Sequence, residues 1–294
     1  MAKNWCIGII GGSGLYDIEE IEDEQWLAIE TPWGDPSDEI LCGTIAGVKV
    51  RFLPRHGRGH PIAPGEVNAR ANIDALKRAG CTDILAVSAV GSLREEIEPG
   101  RFAVVEQFID NTRQRASSFF TSGLVTHVSM ADPVCERLSK MAVKAIGAAG
   151  GKVATGATYL AMEGPQFSTR AESLMYRAWG ADVIGMTAMP EAKLAREAEL
   201  PYALIGMTTD YDCWRIDEDG NPEAAVDVAS VVAQMQENGA LARAALVAFI
   251  EGLPKTRRAS PIDTALDNAI ITAPEEHDPA LIARLGAVAG RVLE

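Results

Sequence analysis

Residues 182–214 read DVIGMTAMPEAKLAREAELPYALIGMTTDYDCW. Apolar, strand-like runs occupy residues 182–186 and 203–207, and a helical stretch at residues 191–199 separates them. The order strand, helix, strand is typical of an α/β fold. Polar residues follow the second run at once, and ligands bind at strand ends in open α/β sheets.

Most of the chain repeats this alternation. Further apolar runs, several nearly continuous in Val, Ile, Leu and Ala, lie at residues 6–10, 48–53, 83–90, 102–109 and 157–162. Strands covered on both faces have this composition. Helices are expected from an Asp132-Pro133 start to a Gly150-Gly151 stop, at residues 171–179 after a Ser168 cap with Glu172 downstream, and at residues 226–252. We therefore expect an α/β fold with a central mixed, largely parallel sheet flanked by helices.

Composition narrows the classes of function. The net charge of -14 over 294 residues argues against nucleic acid or an anionic membrane as a partner. The sequence shows neither a signal-peptide core nor an apolar run of ~20 residues. Five cysteines lie far apart with no metal-ligand spacing. We expect a soluble, cytoplasmic protein with free thiols and no metal site.

One linker candidate, KTRRASP at residues 255–261, is basic, polar and ends in proline. We expect residues 1–254 to form the domain that carries the functional site. Residues 255–294 are then a linker and a C-terminal helical extension, which packs on the same or on a neighbouring subunit.

Two segments offer small residues and donors at strand ends. GGSG at residues 11–14 lets backbone N–H groups approach an anion, and Ser13 adds a hydroxyl. SAVGSL at residues 88–93 offers the Ser88 hydroxyl and the Ala89 N–H. Each segment alone is equally compatible with a tight turn or an ordinary strand–loop junction.

A third segment, LPRHGRGH at residues 53–60, carries Arg55, His56, Arg58 and His60 at a strand end. Arg presents a planar fork to phosphate oxygens, and we expect His to add a donor. A solvated basic turn is the alternative. The acidic balance of the whole chain favours an anion site.

The most distinctive segment is MEGPQFSTRAES at residues 162–173. Its Gly-Pro turn predicts a rigid loop that enters a helix. Phe167 is placed to stack on a planar base and Glu163 to bond a sugar or orient another group, although a structural turn with a core phenylalanine remains open.

Asp210 and Asp212 in TTDYDCW are two residues apart, and strand alternation predicts that they face the same side. Two close carboxylates raise each other's proton affinity, so one of them can hold a proton near neutral pH. A cap or a surface turn is the alternative, and a metal site lacks a third ligand.

Together GGSG, PRHGRGH, SAVGS, MEGPQFSTRAES, GMT and TTDYDCW, in this order, resemble the trimeric purine nucleoside phosphorylase family. Within that family the chain is similar to the 5′-methylthioadenosine phosphorylases, from about residue 7 to about residue 252. The resemblance implies a nucleoside phosphorylase-like fold. The implied activity is phosphorolysis of 5′-methylthioadenosine to adenine and 5-methylthioribose 1-phosphate, in purine and methionine salvage. It further implies inorganic phosphate as co-substrate, no cofactor, and a homotrimer or a dimer of trimers.

The resemblance also assigns residues. The implied phosphate-binding residues are Ser13, Arg55, His56, Ser88, Ala89 and Thr187. The implied nucleoside-binding residues are Phe167, Ser168, Met186, Asp210, Asp212, Val228, Val231 and, from the adjacent subunit, His127. Asp210 is the expected acid at purine N7 and Asp212 the partner of the 6-amino group.

Three alternatives stay open at this point. One is a 6-oxopurine or methylthioinosine phosphorylase of the same family. Another is hydrolysis of the same bond, which needs no phosphate clamp. The last is a non-catalytic nucleoside-binding protein on the same scaffold.

Overall fold

A computed structural model describes residues 4–12, 15, 18–216, 221 and 226–293. In these ranges nine strands form one sheet: β1 (Cys6–Gly11), β2 (Glu22–Leu27), β3 (Ile40–Ile45), β4 (Val48–Pro54), β5 (Asp83–Ser92), β6 (Phe102–Asp110), β7 (Val153–Ala161), β8 (Val183–Gly185) and β9 (Tyr202–Asp210). The helices are α1 (Ala69–Arg78), α2 (Glu136–Ala148), α3 (Arg170–Ala178), α4 (Ala188–Glu197), α5 (Val228–Glu251), α6 (Pro279–Arg284) and α7 (Gly286–Leu293).

The strand order is β2-β3-β4-β1-β5-β8-β7-β6-β9, and β5 also pairs with β9. The second half of the sheet therefore closes on itself. Strand β1 lies parallel to β4 and β5, β5 lies parallel to β9, and β7 lies parallel to β6 and β8. The β2–β3, β3–β4, β5–β8 and β6–β9 pairs are antiparallel. The predicted mixed α/β sheet is confirmed.

Helices cover both faces of the sheet, which explains the continuous apolar strands. On one face α1 and α4 bury Leu76 and Leu194 in the core, and on the other α2 and α5 bury Leu138 and Leu246. Burial on both sides requires apolar residues at successive positions, as in β1, where all six residues are buried.

Two predicted helix starts were wrong. Helix α2 begins at Glu136 and not at Asp132-Pro133. Helix α3 is capped by Thr169 rather than Ser168, and the Thr169 hydroxyl and Glu172 form a reciprocal capping box. Strands β2 and β3 and helix α1 were not predicted. Strand β2 is largely exposed and polar and therefore carries no apolar pattern.

The segment after residue 254 packs against its own chain. Arg257 forms ion pairs with Asp83 at 2.5 Å and with Asp263 at 2.6 Å, and Arg291 reaches Glu199 at 2.5 Å. Asp83 is fully buried and is the first residue of β5, so the Arg257 contact anchors this extension to the N-terminal end of β5. The domain boundary at residues 254 and 255 stays a prediction. None of the helices in the described ranges has the length and apolar character that a membrane crossing requires.

Candidate active site

A cavity of about 240 Å³ opens at the carboxyl ends of β1, β4, β5 and β9. Its lining includes most of the predicted site residues, namely Arg55, His56, Ser88, Ala89, Phe167, Met186, Thr187, Asp210, Asp212 and Val231. A larger hollow of about 700 Å³ beside α2 contains none of them. The smaller cavity is therefore the candidate site, where α/β sheets usually bind ligands.

Arg55 lies below one end of the cavity and is only 1% exposed. Its Nε and Nη2 donate to the two carboxylate oxygens of Glu191 at 2.9 and 3.1 Å, and Nη1 donates to the Val87 carbonyl at 3.0 Å. Burial is the largest single influence and would lower the pKa of Arg55, but the charge and hydrogen bonds of Glu191, with smaller contributions from Tyr202 and Tyr159, together outweigh burial, and the pKa is raised. Arg55 is a cation with its own counter-ion, a partner that sequence analysis missed.

His56 also lines the cavity, and its ring is stacked on His60 with centroids 4.3 Å apart. Nδ1 lies 2.9 Å from the Ile62 carbonyl, which only accepts, so Nδ1 carries the proton. Burial lowers the pKa of His56 to about 4. The neutral ring therefore presents Nε2 as an acceptor, and the expected donor role of His56 toward an anion stays a prediction. Arg58 instead pairs with Asp38 and Glu39 at the surface.

Ser88 and Thr187 meet across the cavity floor, with their hydroxyl oxygens 3.2 Å apart. Ser88 lies within β5 and Thr187 immediately precedes α4, so the two hydroxyls join β5 to the GMT segment. The Thr187 N–H donates to the Tyr159 hydroxyl at 3.3 Å. Gly185 must be glycine here, because an added Cβ would lie 2.1 Å from that hydroxyl. Ser13 lies outside the described residues, while its neighbour Gly12 lines the cavity.

The aspartate pair lies at the other end of the cavity. Strand β9 ends at Asp210, and Asp212 follows in a left-handed conformation with φ of 52°. The Asp212 N–H donates to Asp210 Oδ1 at 2.7 Å, and the Thr209 hydroxyl donates to Asp210 Oδ2 at 2.7 Å. The two side chains share the cavity because of this turn and not because of strand alternation.

Burial is the main cause of the altered acidity of both aspartates. It raises the pKa of Asp210, opposed by the Thr209 hydroxyl and the Asp212 N–H. It also raises the pKa of Asp212, opposed by the nearby Ser173 and Ser168 hydroxyls, and the Asp210 charge adds to the rise. Mutual repulsion is thus the smaller effect. The Oδ2 atom of Asp212 is buried and accepts no hydrogen bond from the described part of the chain.

A cavity with hydroxyl and guanidinium groups at one end and two carboxyls at the other suits a ligand with an anionic and a donor-bearing part. The sequence profile of the phosphorylase superfamily matches residues 6–251, which span every residue that lines this cavity. The chain belongs to the phosphorylase superfamily.

Several proteins with high sequence identity to this phosphorylase are methylthioadenosine phosphorylases. The S-methyl-5′-thioadenosine phosphorylase of Cereibacter sphaeroides is 55% identical over 290 residues, or 98% of each chain. A crystal structure of a methylthioadenosine phosphorylase from an antarctic soil metagenomic library has a TM-score of 0.88 and 44% identity, and covers 97% of this chain and 99% of its own. A Schistosoma mansoni adenosine/methylthioadenosine phosphorylase mutant in complex with methylthioadenosine has a TM-score of 0.78 and 37% identity, and covers 84% and 91%. The resemblance inferred from the motifs is confirmed.

In this phosphorylase Arg115 ties together the two loops between the cavity ends. Its Nη1 donates to the Met186 and Met189 carbonyls, and its Nη2 donates to the Met162 and Glu163 carbonyls. Its Nε donates to the Glu163 carboxylate at 2.8 Å. Glu163 therefore does not line the cavity but orients a loop, and orienting another group was one of its two predicted roles. Sequence analysis gave no signal for Arg115.

Helix α5 contributes to the wall of the phosphorylase cavity. Val231 lines it together with Met235, which sequence analysis missed. Val228 was predicted to line it too, but this first residue of α5 is 66% exposed and does not line the cavity. Ser168 is likewise outside the lining, although its hydroxyl lowers the pKa of Asp212.

His127 is exposed and lies away from the cavity of its own chain. Its backbone N–H donates to the Ala269 carbonyl at 2.9 Å. Its predicted role in an adjacent subunit stays a prediction. Within the described ranges no group of three or more His, Cys, Asp or Glu side chains is arranged to hold a metal ion.

Proposed function

We propose that this phosphorylase cleaves 5′-methylthioadenosine with inorganic phosphate and releases adenine and 5-methylthioribose 1-phosphate. The relatives named for this activity support the proposal over nearly the whole chain. The arrangement of the cavity supports it independently, since its two ends suit the phosphate and the purine.

One observation carries the choice of adenine. The Ser173 and Ser168 hydroxyls lie near the Asp212 carboxyl, but its buried Oδ2 accepts no hydrogen bond of normal geometry from the described residues, and such an acceptor is costly to leave without a donor. The 6-amino group of adenine is a donor, whereas a 6-oxo group only accepts. An adenine base therefore satisfies Asp212, and a 6-oxopurine does not unless the carboxyl is protonated.

Asp210 is the proposed general acid at purine N7. Its raised pKa keeps a larger protonated fraction toward neutral pH, and both its oxygens are held in place by Thr209 and the Asp212 N–H. Proton donation to the leaving purine contributes ~10²–10⁴-fold to the rate. The remaining charge develops on the ribose, which becomes oxocarbenium-like.

Phosphate is the proposed nucleophile, so no side chain needs to form a covalent intermediate. Arg55, Ser88, Ala89 and Thr187 are proposed to hold it, with Ser13 contributing a hydroxyl. His56 accepts a hydrogen bond from a protonated phosphate oxygen while its ring is neutral, and it donates after taking up a proton. Positioning the anion lowers the barrier through proximity and electrostatics. Phosphate is a co-substrate, and no cofactor is proposed.

The 5′-substituent is proposed to lie against α5. Val231 and Met235 offer apolar surface there, which suits a methylthio group better than a hydroxyl. Met186 is proposed to lie under the ribose and Phe167, 42% exposed, to pack on the base side.

The assembly is proposed to be a homotrimer in which His127 of the partner subunit completes each site. Exposure of His127 in its own chain is compatible with this role. We place the enzyme in the cytoplasm, because its five cysteines are all free, and residues 1–254 are the proposed catalytic domain.

The test compares methylthioadenosine, adenosine and methylthioinosine, each with and without phosphate. We expect phosphate-dependent release of adenine, with methylthioadenosine as the preferred substrate. Preference for methylthioinosine would overturn the adenine assignment. Undiminished cleavage without phosphate would instead identify a hydrolase.

A further inference from the structure

The Arg55 guanidinium has five N–H groups, of which the structure shows three in use. Two of these bonds form a fork with Glu191 and one goes to the Val87 carbonyl. One N–H on each Nη atom is left to reach a ligand. The plane of the guanidinium, and thus the direction of those two bonds, is set by the fork.

Glu191 is itself held firmly. It is 2% exposed, and the Tyr202 hydroxyl donates to its Oε1 at 2.7 Å. Glu191 also lies four residues after Thr187, just past a break in α4 at Met189, whose φ of -114° and ψ of 135° are not helical. The Arg55–Glu191 pair therefore joins the end of β4 to the start of α4, across 136 positions of sequence.

We propose that Glu191, fixed by Tyr202, is a positioning residue for phosphate: it orients Arg55 and holds it in register with Thr187. The proposal rests on the proposed function, since it assigns the anion that Arg55 meets. A carboxylate suits this role because its two oxygens match the guanidinium fork, which neither a single acceptor nor an amide can do. It also leaves no unpaired buried cation when the cavity is empty.

Glu191→Gln is the main test. The amide offers one acceptor and turns an N–H toward Arg55, so the guanidinium has to rotate. We expect the KM for phosphate to rise about 10- to 100-fold, as for a small misplacement of a binding group, with a smaller fall in kcat. Binding of adenine, measured by calorimetry without phosphate, should stay within about twofold of wild type because the base end is untouched.

Glu197→Gln is the matched control. Glu197 is a buried carboxyl on the same helix, but it accepts from the Ser118 hydroxyl and the Phe119 N–H and does not contact the cavity. We expect this variant to lose stability without a change in the KM for phosphate. An equal rise of that KM in both variants would show a general effect of damage to α4 and would overturn the proposal.

Tyr202→Phe keeps the ion pair and removes only the hydroxyl that fixes it, so it decides the matter if Glu191→Gln does not fold. Loss of one hydrogen bond predicts a rise of about 2- to 10-fold in the KM for phosphate. If the KM for phosphate is unchanged in Glu191→Gln and Tyr202→Phe, or in whichever of them folds, the role of Glu191 is overturned and the proposed function still stands. Cleavage by the wild-type enzyme without phosphate would overturn the proposed function, and this proposal with it.

Discussion

Replacement of Asp210 by Asn tests the chemistry at the base end with little change of shape. In the wild type Oδ1 accepts from the Asp212 N–H and Oδ2 accepts from the Thr209 hydroxyl. The Asn oxygen can keep the first bond. Its amide can donate to the Thr209 oxygen, whose own proton then goes to the Val90 carbonyl 3.3 Å away. The local structure should therefore persist, and what disappears is the transferable proton.

The expected loss follows from that proton. General acid catalysis contributes ~10²–10⁴-fold, or about 3 to 5 kcal/mol of transition-state stabilisation. We expect kcat for methylthioadenosine to fall by this factor at saturating phosphate. The preference should also shift toward 6-oxopurines. The free energy of unfolding should change by no more than about 1 kcal/mol, since the hydrogen bonds are conserved.

The pH dependence gives a second check of Asp210. Burial raises its pKa, so the acid form persists to higher pH than for an exposed aspartate, and wild-type kcat should fall as pH rises through that pKa. The Asn variant should lack this fall. Initial rates of adenine release, measured by absorbance across pH 5 to 9 at about 1 mM phosphate or above, would show both effects. A variant rate within about threefold of wild type, with the same pH profile, would refute the assignment of Asp210 as the acid.

Three further predictions concern residues around the site. For Glu197, burial raises the pKa from 4.5 to about 7, so its contribution to stability is complete below pH 4.5 and is lost as pH rises through about 7. In urea unfolding, the free energy of unfolding of the wild type should therefore fall by about 3 kcal/mol over this pH range, and that of Glu197→Gln should not. Parallel pH curves for the two proteins would contradict this prediction. Gly91→Ala should lower kcat/KM for the nucleoside, because the added Cβ would lie 2.9 Å from Asp210 Oδ1. The control is Gly147→Ala in α2, whose Cβ would meet no atom within 4 Å and which should leave kcat/KM unchanged. Equal effects of the two substitutions would exclude a steric clash with Asp210 as the cause. Asp83→Asn should lower the free energy of unfolding by about 3 to 5 kcal/mol, because it breaks the buried ion pair with Arg257. The KM for phosphate should stay constant in the folded fraction. Only a marginal decrease of the free energy of unfolding in calorimetry would show that the C-terminal extension is not anchored at Asp83.

Local sequence patterns were sufficient to predict an element where the structure of a segment depends mainly on its own residues. Continuous apolar runs predicted the strands that both faces of the sheet cover, and small or polar residues after them marked the cavity edge. Strand β2 escaped detection because its exposed, polar residues carry no such pattern. Helix starts were also misplaced, since Thr169 and Ser168 are both capable caps and only the backbone geometry chooses between them.

What the sequence by itself determined was the fold class, the family and most of the residues that line the cavity, Asp210 and Asp212 among them. Tertiary structure decided how these groups behave. It paired Arg55 with Glu191, 136 positions away, and it fixed the His56 tautomer through the Ile62 carbonyl. Burial raised the pKa values of both aspartates. The physical reason is that charge state and hydrogen-bond direction depend on every group packed around a side chain, and those neighbours come together only when distant parts of the chain fold into contact.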